Sequence, residues 1–199
     1  MSKQDFLVEL GTEELPPKAL SKLSKAFETG ILDGFKKESL SFDSVNRFAT
    51  PRRLAVIVRG LQEKQDDKNV ERFGPAVKAA FDGDGNPTPA ASGFAKSCGV
   101  DISELGRVDK DGVEKLSYSS SQAGRAATEL IPGIVNDSLT KLPIPKRMRW
   151  GASRVEFVRP VHWLVLLFGD QVIDANILGI DSGRCSRGHR FHHNSEIEI

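Results

Sequence analysis

The run VHWLVLLFG, Val161 to Gly169, is the longest apolar stretch in the chain. A helix that crosses a bilayer needs about 20 such residues, so this run has to be buried inside folded protein instead. Its valines and leucines suit a strand, and Gly169-Asp170 supplies a turn before QVIDANILGI. Two strands around that turn are expected. FLVEL (Phe6 to Leu10) and LAVIV (Leu54 to Val58) read as strands of the same kind. Ahead of LAVIV, the residue before Pro51 is held extended, so SVNRFATPRRLAVIV should form two extended pieces hinged at Thr50-Pro51.

Helical spacing appears between these runs. Leu20, Leu23, Phe27, Ile31 and Phe35 recur every three or four residues, which predicts an amphipathic helix over about 16–37. Pro16 and Pro17 are tolerable in its first turn. PAASGFAKSCGV predicts a short helix ending at Gly99. GRAATELIPGIVNDSLTKL carries a second apolar stripe at Leu130, Ile134, Val135 and Leu139, with Pro132 as a kink or a fresh start. RVDKDGVEKLSYSSS reads as a hairpin turning at Asp111-Gly112. QEKQDDKNVER is a polar connection, FGPAVKAAFDGDGNPTPAA a loop, and LPIPKRMRWG a proline-stiffened loop. The terminal NSEIEI alternates like a strand, so a fragment of something longer is expected. Hairpins rather than regular βαβ units favour an α+β fold, mainly antiparallel, with flanking helices. Two subdomains are expected, about 1–60 joined with 145–199, and about 61–144.

The 199 residues need no disulfide staples, and Cys98 and Cys185 belong to no C-x-x-C pair. No secretory signal is visible in MSKQDFLVELG, so a soluble, cytoplasmic protein without membrane contact is expected. The net charge of +1 excludes a globally basic nucleic-acid trap, yet basic residues cluster locally. Lys146, Arg147, Arg149, Arg154 and Arg159 face only Glu156 in their stretch, and GRCSRGHRFHH holds three arginines with no acid.

That last segment, Gly183 to His193, contains three of the four histidines and invites three explanations. Cys185, His189, His192 and His193 could ligate a metal, but zinc sites draw paired ligands from separate pieces of backbone. Cys185 or Ser186 with His189 could form a nucleophile and base, but no strand-turn-helix elbow flanks them. Phosphate binding fits better: arginine makes planar bidentate contacts to phosphate, and Trp150 after KRMR offers a flat stacking face. No P-loop or dinucleotide fingerprint is present. DGDGN lacks the spaced acids and terminal Glu of a calcium loop. The competing explanation is that these arginines form ion pairs with Asp and Glu inside the fold.

Taken in order, FLVELGTEELPPKAL, RFATPRRLAVIV, FGPAVKAAFD, GFAKSCGV, KRMRWG, FVRPVHWLVLLFG and SRGHRFHH span the whole chain. Together they resemble the N-terminal part of the β subunit of bacterial tetrameric glycine–tRNA ligase. Arg147 and Ser186 depart from that pattern, where serine and threonine are usual. The resemblance implies a longer parent chain and a division of labour. ATP and Mg would belong to the α subunit of an α2β2 enzyme, and the β subunit would serve tRNA(Gly) binding and assembly. This stretch would then hold no catalytic residue, no metal and no cofactor of its own. Charge and clustering nominate Arg52, Arg53, Lys146, Arg147, Arg149, Arg187, His189 and Arg190 as tRNA contacts. The alternative is a scaffold and subunit-interface domain that never touches tRNA.

Overall fold

The computed structural model describes residues 2–82, 85–110 and 112–199. Along the chain run β1 (Lys3–Thr12), α1 (Pro17–Lys37), β2 (Ser44–Thr50), β3 (Arg53–Gln62), β4 (Lys68–Ala76), α2 (Val77–Ala80) and α3 (Pro89–Cys98). A 3-10 turn at Ile102–Glu104 precedes β5 (Gly106–Lys110), β6 (Val113–Gln122) and α4 (Ala127–Thr140). Then follow β7 (Met148–Arg149), β8 (Glu156–Phe157), β9 (Val161–Phe168), β10 (Gln171–Val172), β11 (Asn176–Ile177), β12 (Ile180–Gly183), β13 (Cys185–Arg187) and β14 (Glu196–Glu198). The fold is α+β with mostly antiparallel sheets, as expected.

The chain forms two compact units: Met1–Gln65 with Arg125–Ile199, and Asp66–Gly124. These boundaries differ from the expected ones at about 60 and 145. α4, assigned from the sequence to the inner segment, lies in the first unit, because its apolar stripe packs on α1. α1 is short of side chains where the helices meet. A Cβ added to Gly34 would sit 2.4 Å from Ile134 Cγ2, so only glycine lets α4 approach this closely. Pro132 lies inside α4, which continues as one helix.

A seven-stranded sheet anchors the first unit, in the order β11-β12-β9-β1-β3-β2, with β10 pairing off β9. Among the described residues, only β12 runs parallel to its neighbour, β9. Phe6, Val8, Leu10, Leu54, Val56, Val58, Leu164 and Leu166 point to the helix-covered face, where Leu23, Phe27, Ile31 and Phe35 of α1 complete the core. Each large side chain buried this way contributes about 1.5–3 kcal/mol. The register then fixes the other face. Gly11 lies opposite both Arg53 and Trp163, and Glu9 opposite both Ala55 and Val165. Thr50 completes the Gly11 rung from β2.

The second unit is smaller. Its sheet runs β4-β6-β5, and Ala80, Ala91 and Leu116 form its core with Phe81 and Phe94 packed alongside. β4 begins at Lys68, inside the stretch expected to be a polar connection, and α2 stands where a loop was expected. The hairpin of β5 and β6 forms as expected, although Asp111 of its turn lies outside the described residues. So do Gly83 and Asp84 of DGDGN.

Candidate functional site

The face of the large sheet away from the helices carries Leu7, Ala55, Ile57, Val165 and Leu167, and at its Glu9 and Gly11 rungs a set of polar groups tied to one another. At the rung of Gly11, the Trp163 indole lies directly on the strand. A Cβ at Gly11 would meet Trp163 Cε2 at 2.0 Å, so no other residue fits beneath the ring. Over the same ring sits Arg53, its guanidinium carbon 5.7 Å from the centroid, within the range of a cation–π contact.

One rung away, Glu9 is buried, with 6% of its surface exposed. A buried carboxylate needs partners for its lone pairs. Trp163 Nε1 donates to Glu9 Oε1 at 2.8 Å, and Ser186 Oγ donates to the same oxygen. Arg53 Nε lies 3.4 Å from Glu9 Oε2. Ser186 comes from β13, so Glu9 ties the C-terminal strands to the sheet. Arg53 adds a second tie by donating to the carbonyl of Arg187.

Glu13 occupies the rim. Its backbone N–H donates to Pro160 O at 2.9 Å, and Leu15 N–H to Pro51 O at 2.6 Å, which pins the turn after β1 against its neighbours. His162 Nε2 donates to Glu13 Oε1 at 2.9 Å. Arg52 Nη2 lies 3.2 Å and Arg190 Nη1 3.9 Å from the carboxylate. The His162 hydrogen bond, helped by the charges of Arg52, His162 and Arg190, holds the Glu13 carboxyl below the usual carboxylate range against the opposing pull of desolvation.

The histidine-rich segment folds back on itself. His189 Nδ1 accepts from the backbone N–H groups of Phe191 and His192, each at 3.3 Å. The His189 and His192 rings lie 4.6 Å apart, and His193 N–H donates to His189 O at 2.8 Å. His189 therefore organises a turn, and that turn presents Phe191 with 84% of its surface exposed. Among the described residues, no three His, Cys, Asp or Glu gather in a group able to hold a metal ion. Both cysteines are free thiols.

These elements enclose a cleft of about 610 Å³ within the first unit. Thr50, Arg52, Arg53, His162, Trp163, Arg187, His189, Arg190 and Phe191 line it. Five of the nominated residues thus meet in one place: Arg52, Arg53, Arg187, His189 and Arg190. Lys146, Arg147 and Arg149 do not line it. Arg147 Nη2 donates to Thr140 O at 2.7 Å at the end of α4, and Arg149 Nε pairs with Glu156 Oε1 at 2.6 Å. Of this stretch, only Met148, between Arg147 and Arg149, reaches toward it among the described residues. Met148 Sδ is 3.8 Å from Arg159 Nη1, and Arg159 and Arg190 share the lining of an adjoining shallower groove. Trp150 is partly buried against the core and does not line the cleft. Trp163 and Phe191 are the aromatics of the cleft, and sequence reasoning missed both, along with Glu9, Glu13 and His162. A lone carboxylate inside FLVEL and a histidine inside VHWLVLLFG were the available signals.

A family described as glycyl-tRNA synthetase beta subunit matches residues 6–199. The chain belongs to that family. The glycine–tRNA ligase beta subunits of Hahella chejuensis (strain KCTC 2396) and Pseudomonas fluorescens (strain Pf0-1) are each 56% identical to it over 199 residues, all of this chain. Ectopseudomonas mendocina (strain ymp) has a third such subunit at the same identity. The chain spans 29% of the first relative's length and 28% of the other two, so this family member corresponds to under a third of those β subunits.

Proposed function

We propose that the chain is the N-terminal module of a β subunit working in a cytoplasmic glycine–tRNA ligase, and that its basic cleft contacts tRNA(Gly). In this proposal the α subunit of an α2β2 enzyme holds ATP and Mg and joins glycine to the tRNA, and the module catalyses nothing itself. The observation that carries the tRNA contact is the convergence of Arg52, Arg53, Arg187, His189 and Arg190 on one cleft, continued by Arg159 in the adjoining groove. Several of these arginines have carboxylate partners but remain accessible. The side chains of Arg187, Arg190 and Arg149 are 51%, 57% and 64% exposed. Exposed ion pairs of this kind contribute about 0–1 kcal/mol, so exchanging a carboxylate for a phosphate costs little.

The test uses the assembled ligase. Replacing Arg187 and Arg190 together by alanine should raise the tRNA KM about tenfold at physiological salt and leave the glycine KM unchanged. The salt dependence of tRNA binding should also become shallower, since each lost phosphate contact removes about one unit of slope. An unchanged tRNA KM and slope in a stable variant would refute the contact.

A second reading has its own observation. Glu9 commits Arg53, Trp163 and Ser186 to holding the C-terminal strands, which is what a scaffold or subunit interface would need. If the double variant spares tRNA binding but weakens retention of the α subunit, the scaffold account replaces the tRNA account.

A further inference from the structure

The cleft's shape, charge and aromatic content select among RNA features, given that it contacts RNA as proposed above. Its volume of about 610 Å³ falls in the range of sites that enclose a small molecule. A concavity of that size accepts a splayed-out nucleotide, whereas the flank of an A-form duplex is rounded and read from outside by shape.

Its charge points the same way. Glu9, Glu13 and Glu196 pair with Arg52, Arg53, Arg187 and Arg190, and Glu14 also lines the cleft, so its carboxylates balance its guanidiniums. A balanced site of this kind suits a single phosphate that takes over one carboxylate's ion pairs, and would be weak against a long duplex backbone. Arg52 lines the cleft with a quarter of its side chain exposed. Phe191 is the most telling residue. A large aromatic 84% exposed, on a turn braced by two hydrogen bonds to His189, adds nothing to this unit's core. Fixed exposed aromatics beside arginines are what unpaired bases stack on. Trp163 supports the cleft from below, since Gly11 and Arg53 already occupy its neighbourhood.

We propose that this cleft holds an unpaired RNA nucleotide, its base against Phe191 and its phosphate facing Arg52 and Arg190. The site binds and orients, and no bond is made or broken there.

The experiment uses the full-length β subunit in its assembled ligase. A short single-stranded oligoribonucleotide carrying 4-thiouridine is irradiated with the enzyme, beside a blunt duplex of equal length, and adducts are mapped by mass spectrometry. Adducts within residues 187–194 from the single strand, and far fewer from the duplex, are expected. Phe191→Ala should weaken tRNA binding about tenfold without changing the salt slope, and Phe191→Trp should restore it. Arg190→Ala should lower the slope by about one. Equal cross-linking by duplex, or no adduct together with unchanged binding in Phe191→Ala, overturns the nucleotide site. If Arg190→Ala still weakens tRNA in that case, the broader RNA contact stands. If it does not, both fall. Competition by inorganic phosphate that abolishes the adducts at millimolar concentration would mark a bare anion site and also overturn the proposal.

Discussion

The two faces of the large sheet are built from the same strands and obey opposite rules. On β1, Phe6, Val8 and Leu10 enter the helix-covered core, and Leu7, Glu9 and Gly11 alternate to the other side. One side is held by area: apolar groups interchangeable in kind, tolerant of small shifts, stabilised in proportion to what they bury. The other is held, at these rungs, by specific partners, with a glycine sized to an indole and a carboxylate that takes two hydrogen bonds and an ion pair. The lesson is that one face supplies most of the stability and the other supplies the geometry of the cleft. Damage to each should therefore differ in character as well as size.

The largest effect should follow Phe27→Ala. Phe27 is fully buried against the helix-covered face, so its truncation should cost about 3–5 kcal/mol. Chemical denaturation of the β subunit measures it, and hydrogen-exchange protection should fall throughout the first unit. A loss confined to the neighbourhood of α1 would mean the helix layer is not part of one cooperative core.

Glu9→Ala comes next, at about 2–3 kcal/mol, because Trp163 and Ser186 lose their acceptor and Arg53 its ion-pair partner at once. Its signature should be local. Protection should drop at 184–198 and around Trp163, leaving α1 and α4 unchanged. Equal loss on both faces would erase the distinction drawn here.

The same contrast explains what could be read in advance. The core face was legible because periodicity is a local property: the stripe from Leu20 to Phe35 placed α1, and FLVEL and LAVIV placed β1 and β3. β4 was not legible, because Lys68 to Arg72 lie mostly exposed on a small sheet and show no apolar alternation. The arginines of the cleft were legible as clusters of charge. Their partners were not, since Gly11 meets Trp163 only through the register of β1 on β9, across about 150 residues of sequence. Lys146, Arg147 and Arg149 carried the same signal as Arg187 and Arg190, but none of them lines the cleft, and Arg147 instead bonds the end of α4. Charge density reports that a basic surface exists. Only strand pairing reports which cations share a wall.

The smallest effect concerns pH, and it separates the rim from the floor of the cleft. Glu13 receives His162 from β9, Arg52 from the turn before β3, and Arg190 from the histidine-rich turn, and these partners lower its pKa in the folded state. A carboxyl with a depressed folded pKa stabilises the fold above its unfolded pKa and loses that contribution as pH falls through the folded value. The Glu13 contribution should therefore be complete at neutral pH and vanish on the acid side of the usual carboxylate range. It is small because the side chain is 36% exposed and solvent screens its partners. Unfolding midpoints of the wild-type subunit and of Glu13→Gln, measured across an acid series, should differ near neutrality and converge as pH falls. A gap that persists at the acid end would show that Glu13 acts through packing rather than charge, and that the rim, like the helix face, is held by area.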